Sequence, residues 1–179
     1  MGAQDFFAEK KVKWVSLWFD VLIKQYPFEA TPFFKNTSDP FANPIGSVVK
    51  KGLNELYTLL TAEVADVEKL REALDPIIRI QAVQDFSPSV ALCFLPDFRR
   101  IVESGLKREK QVTREMEKHA EKVLSNIDTA MLMAFDIYVS CTKKLYELRA
   151  TQFRNSVRQL LIKKDLVAEI PELAPELRF

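Results

Sequence analysis

Along residues 6–25 the apolar positions Phe7, Val12, Trp14, Val15, Trp18, Phe19, Leu22 and Ile23 recur at helical spacing and stop just before Tyr26-Pro27. The pattern predicts a first helix with a heavily aromatic face. Residues 26–43 carry three prolines and five aromatics, which predicts an irregular segment too apolar to float in solvent. Asn43-Pro44 then offers an N-cap with proline at the first helical position. In the helix it opens, Val48, Val49, Leu53, Leu56, Tyr57 and Leu60 form the expected buried face. Gly46 and Gly52 fall inside it, and each costs about 1 kcal/mol relative to alanine, so close packing is expected there.

Residues 62–75 read as a short acidic amphipathic helix with Val64, Val67, Leu70 and Leu74 inward, interrupted at Asp75-Pro76. A further helix is expected from 76 to about 85. Ser87-Pro88 repeats the cap-plus-proline signal and starts another, running to about 108, which Pro96 should kink or divide. From 106 to 170 there is neither glycine nor proline, and Ser125-x-x-Asp128 is a weak capping-box variant, so the region reads as one helix or as two meeting near Ser125. Its apolar positions 116, 120, 123, 127, 130, 134, 137, 141, 145 and 148 alternate largely by four and three. Phe153, Val157, Leu160 and Leu161 continue a thinner stripe, so the helix is expected to project from the domain and pair there. No segment alternates with period two and no repeat is found, which makes the chain all-α. The expected division is a helical domain over 1–150, a helical extension over 151–164 and an acidic tail over 165–179.

Composition narrows the function. The 26 Lys and Arg balance 25 Asp and Glu, so no global field recruits nucleic acid or an anionic membrane. The balance hides opposed parts: residues 142–164 hold seven cations against Glu147, while the tail holds four acids against one arginine. Four glycines leave little from which to build a phosphate-cradling loop, and no nucleophile with a base can be assembled, so an enzyme is not expected. The longest apolar stretch, 130–141, is broken by Asp136 and falls short of a membrane span, which excludes membrane insertion. The first residues lack the apolar core of a secretory signal, so a cytoplasmic location is expected.

Few residues carry chemistry. Cys93 and Cys141 lie in apolar runs and read as buried, inert thiols rather than a redox pair. His119 is the only imidazole, set among Lys118, Glu115, Glu117 and Glu121. It reads as part of a solvated helix face, with an axial haem ligand as the sharper alternative, and no metal or other cofactor is expected. The aromatics around Trp14, Trp18, Phe41 and Phe86 read either as core or as the wall of a ligand pocket. Asp136, in the middle of an apolar run, either sits at the stripe's edge or takes Arg79 or Arg149 as its partner. The basic stretch from Arg149 to Lys164 lacks aromatic platforms, so no nucleic-acid partner is expected.

Three segments, in order, carry a family resemblance: Phe41-Ala42-Asn43-Pro44-Ile45-Gly46, then Arg79-Ile80-Gln81-Ala82-Val83-Gln84-Asp85-Phe86-Ser87-Pro88-Ser89, then Phe135-Asp136-Ile137-Tyr138 with Leu145-Tyr146-Glu147-Leu148-Arg149. Over about residues 9–150 the chain resembles the RsbRD N-terminal domain family, the sensory domain of RsbT co-antagonist proteins. The resemblance implies an all-helical sensor, related in role to non-haem globin-like domains that dimerise and pass their state along a long terminal helix. It makes Arg79, Asp85, Asp136 and Arg149 candidates for a buried ionic network, in which losing one partner costs about 3–5 kcal/mol. Full co-antagonists continue into a STAS domain, whereas this sequence runs only about 30 residues past the resemblance. The reading is therefore a stand-alone, non-enzymatic regulatory module, globin-like or a helical bundle with a long C-terminal helix, that signals by helix repacking to a protein partner. It is expected to be a homodimer through Met131, Tyr138, Leu145, Phe153 and Val157. The alternatives are a haem or other small-ligand protein, or an accessory subunit of a redox complex.

Overall fold

The aromatic face of the first segment becomes α1, Ala3–Ile23, in a computed structural model that describes residues 2–26 and 43–164. Phe6, Phe7 and Trp14 meet edge to face with ring centroids 5.5–5.8 Å apart. Val12 points away from this cluster and is exposed, because its helical angle lies opposite Trp14. In α2, Pro44–Leu60, the Asn43 side chain accepts the Gly46 N–H at 2.8 Å, the cap that the Asn-Pro pair predicts. Both α2 glycines are packing sites: a Cβ on Gly46 would stand 2.3 Å from the Asn43 amide, and one on Gly52 2.9 Å from Ile77.

The third helix departs from expectation. It is continuous as α3, Val67–Val83, starting after the Asp66 cap rather than at 62, and it passes through Pro76 without ending. Pro76 and Glu72, whose carbonyl loses its donor there, are both exposed, so water replaces the missing bond. Leu70, Ala73, Leu74, Ile77 and Ile78 keep one inward face on both sides of the proline. Val64 lies outside the helix, and it and Val67 are exposed. The helix closes with Asp85 left-handed at φ 63°, its N–H on Ala82 and the Phe86 N–H on Gln81. This pair of bonds is a Schellman closure, and it gives Asp85 of the family motif a backbone role.

The proline signals at 88 and 96 resolve as a division. Helix α4, Pro88–Leu92, gives way at Cys93 to α5, Phe94–Arg108. Helix α6, Arg114–Lys163, is unbroken at Ser125, which is exposed while Val123 and Ile127 on either side are buried and in phase.

Two compact units divide the chain, Met1–Thr142 and Lys143–Phe179. In the first unit α1 packs on α2 and α5, α2 on α3, and α4 on α3 and α5. The α6 residues of that unit add Met116, Ala120, Val123, Ile127, Ala130, Ala134 and Ile137 to the core. The described part of the second unit is helical and exposes Tyr146, Leu148, Phe153, Leu160 and Ile162. Among the described residues there is no strand, and no helix is long and apolar enough to cross a membrane.

Candidate functional site

The two tryptophans of α1 stand four residues apart and meet different surroundings. Trp18 is fully buried, stacks on Phe98 with centroids 4.2 Å apart, and donates from Nε1 to the Phe94 carbonyl at 2.6 Å. It is core. Trp14 instead lies where α1 crosses α5: its ring fills the space that a Cβ on Gly105 would need, 2.2 Å away. Beside it the helices leave a groove of about 580 Å³ with Trp14, Leu17, Val21 and Ile101 along its apolar wall. Phe86 is half-buried elsewhere, edge to face with Tyr26 at 5.1 Å. Phe41 lies outside the described residues. Among the described residues, Trp14 lines the α1–α5 groove and neither Trp18 nor Phe86 does.

His119 is not on a solvated face. It is buried, with Nε2 donating to the Thr61 carbonyl at 3.0 Å and Nδ1 3.5 Å from a Glu63 carboxylate oxygen. Its ring lies against Phe7, centroids 5.0 Å apart. Seven residues further along α6, Asn126 donates to the Leu60 carbonyl at 2.9 Å. These two side chains satisfy carbonyls that the end of α2 leaves without intrahelical donors. Both ring nitrogens thus face protein acceptors rather than an open cavity. Glu63 also pairs with Lys122 at 2.9 Å, and the Lys122 hydrogen bond and charge, with His119 adding less, hold its carboxyl below the usual range. The available signal was register: His119 stands three residues after Met116 and four before Val123, on the apolar stripe of α6.

The expected ionic network is not assembled. Arg79 is exposed and pairs with Asp75 one turn earlier, Asp85 and Asp136 are exposed, and no ion pair joins Arg79, Asp85 and Asp136 to one another. Arg149 belongs to the second unit and is exposed. The physical reason is the phase of the helices: Arg79 and Asp136 sit on the outer faces of α3 and α6, where water solvates them without cost. The inward polar residue of the motif is Gln81, fully buried, with neither amide atom hydrogen-bonded. Its place seven, four and three residues after Leu74, Ile77 and Ile78 was the available signal.

Cys93 accepts a hydrogen bond from Gln25 at 2.9 Å, and burial, with Asp97 adding to it, pushes its thiol up; Cys141 is buried and free. A raised thiol is the opposite of a poised thiolate nucleophile at Cys93. Among the described residues no cluster of His, Cys, Asp and Glu could hold a metal ion.

The faces of α6 also sort differently from expectation. Tyr138 belongs to the core, its hydroxyl donating to the Phe86 carbonyl at 2.6 Å, so it is not available to a partner. Met131 and Leu145 are half-buried, and Phe153 and Val157 are exposed. In the first unit the exposed large apolar residues of α6 are Leu132 (72%), Phe135 and Val139, on the side away from the core.

A family model described as the RsbT co-antagonist protein rsbRD N-terminal domain matches residues 13–153. The chain belongs to this family. Searches against curated proteins and against solved structures return no significant match. RsbRD N-terminal domains are non-catalytic sensory domains. In this RsbRD N-terminal domain the match begins at the start of the groove wall on α1 and ends within α6.

Proposed function

We propose that the protein is a globin-like, cytoplasmic sensory module that forms a homodimer through the C-terminal part of α6 and passes its state to a regulatory protein partner by repacking helices. The observation that carries this reading is a row of exposed apolar residues in the second unit. Tyr146, Ala150, Phe153, Val157 and Leu160 are all exposed and recur by four, three, four and three, the spacing of a coiled-coil seam. A polar helix surface would suffice for solubility alone, whereas Phe153 is 70% and Tyr146 65% exposed. Pairing with a second copy removes this stripe from water at about 25 cal/mol per Å². Seven cations against Glu147 in residues 142–164 would face each other across such a pair, so the dimer should tighten as salt rises. The same charge favours an acidic regulatory partner over the homodimer at low salt.

Sedimentation velocity on the full chain tests this. The wild type should sediment as a dimer at micromolar concentration, more so at high salt, while Phe153→Asp with Leu160→Asp should be monomeric with unchanged helix content. A wild-type monomer at every salt concentration overturns the homodimer.

A further inference from the structure

The groove between α1 and α5 has features that neither dimerisation nor the core requires. On α1, Trp14, Leu17 and Val21 share a face, and on α5 Ile101 and Gly105 share the face opposite. The helices run antiparallel here, since Lys10 near the start of α1 lies 3.4 Å from Glu109 at the end of α5. Two helices at such a crossing ordinarily interlock side chains along the contact. Here Trp18 interlocks with Phe94 and Phe98, whereas further along the Trp14 ring is seated over Gly105 and beside it the helices leave about 580 Å³ unfilled, within the range of sites for small organic ligands. Leu17, in the middle of the wall, is left 43% exposed.

The charges along the rim are unevenly committed. Glu9 and Glu109 both pair with Lys10, and Asp97 pairs with Arg100 at 2.7 Å. Each acid lining the groove thus already has a cation. Lys13 and Arg108 also line it, both exposed and neither in an ion pair among the described residues. Both belong to the end of the groove marked by the Lys10–Glu109 pair, Lys13 beside Trp14 and Arg108 beside Glu109. An apolar trough ending in two uncommitted cations is complementary to a molecule with an apolar body and one anionic head.

We propose that this groove is a binding site for an amphipathic monocarboxylate, with the hydrocarbon lying along Trp14, Leu17, Val21 and Ile101 and the carboxylate between Lys13 and Arg108. The site is independent of the proposed dimer, which uses other residues. A ligand there would bridge α1 and α5 and alter how Trp14 sits on Gly105, which is how occupancy could reach the rest of the core.

Calorimetric titration of the full chain with dodecanoate below its micellar concentration tests the proposal, with dodecyltrimethylammonium as the same chain carrying the opposite charge. Dodecanoate should bind with one site per chain and change the tryptophan emission, and Trp14→Phe should remove that optical change. Leu17→Glu and Arg108→Glu, both at exposed positions, should each weaken binding at least tenfold while leaving the circular dichroism unchanged. No saturable binding, equal binding of the cationic amphiphile, or binding indifferent to Leu17→Glu would each overturn it. Lys13→Glu supplies a second charge reversal on the other helix should Arg108→Glu disturb folding.

Discussion

Gly52 and Gly105 both sit where one helix crosses another, and they have opposite consequences. At Gly52 the missing Cβ lets α2 approach α3 closely, and the nearest atom is the end of the flexible Ile77 side chain at 2.9 Å. At Gly105 the missing Cβ is replaced by a rigid indole, and the contact that results leaves a groove beside it. The difference lies in what faces the glycine. At Gly52 the end of an aliphatic side chain fills the gap, whereas at Gly105 a rigid ring fills it and the interface stays open as a groove alongside. The first arrangement is consistent with a rigid scaffold, and the second leaves a surface that can respond to what occupies it.

Substitutions break this comparison in graded ways. Trp18→Ala, which removes the ring stacked on Phe98, should cost about 3–5 kcal/mol in denaturant unfolding. Trp14→Ala should cost a similar amount, because that ring is also buried, edge to face with Phe6 and Phe7 and seated over Gly105. Gly105→Ala should lose about 2 kcal/mol: the added Cβ displaces a rigid ring, and the roughly 1 kcal/mol gained in helix propensity only partly offsets the strain. In the Trp14→Leu background that loss should shrink, and a double-mutant cycle reads the coupling directly. Gly52→Ala should lie within about 0.5 kcal/mol of wild type, because Ile77 can rotate and the propensity gain then cancels the crowding. Equal losses at the two glycines would show that the indole is no stiffer a neighbour than the isoleucine.

The smallest expected effect concerns pH. The Glu63 carboxyl is held below its ordinary value near 4.5, chiefly by Lys122 and then by His119. A depressed folded value means that this contribution is present in full above the carboxyl's unfolded titration, and is lost as pH falls through the folded one. Glu63→Gln should therefore be slightly less stable than wild type at neutral pH and converge with it in acid, which paired urea titrations across that range will measure. A constant difference at all pH values would mean that the link to α6 does not depend on the carboxylate charge.

Much of the architecture was legible in the residue pattern. The aromatic face of α1, the Asn43 cap, the close approaches at Gly46 and Gly52 and the division ahead of Pro96 all follow from local chemistry, and the structure has them. What misled the reading was the treatment of single residues as punctuation. Pro76 was expected to end a helix, but an exposed proline flanked by a continuous apolar face costs a bond that water restores. Ser125 was a candidate break, but the stripe stays in phase across it. Charged residues were the least legible. Arg79 and Asp136 suggested buried partners, yet both face solvent, while the buried polar groups are His119 and Gln81.

By itself the sequence determined the all-α class, the first two helices and membership of the RsbRD N-terminal domain family, because periodicity, caps and motif order are local properties of the chain. Only the tertiary structure decided which side of each helix meets another. That is why Trp14 borders a groove while Trp18 is core, why Tyr138 is withdrawn from any partner while Leu132 and Phe135 stay exposed, and why His119 closes the end of α2. The physical reason is that helical spacing places residues on a common face, while the shape of the facing helix decides whether that face is filled, open as a groove or left to water.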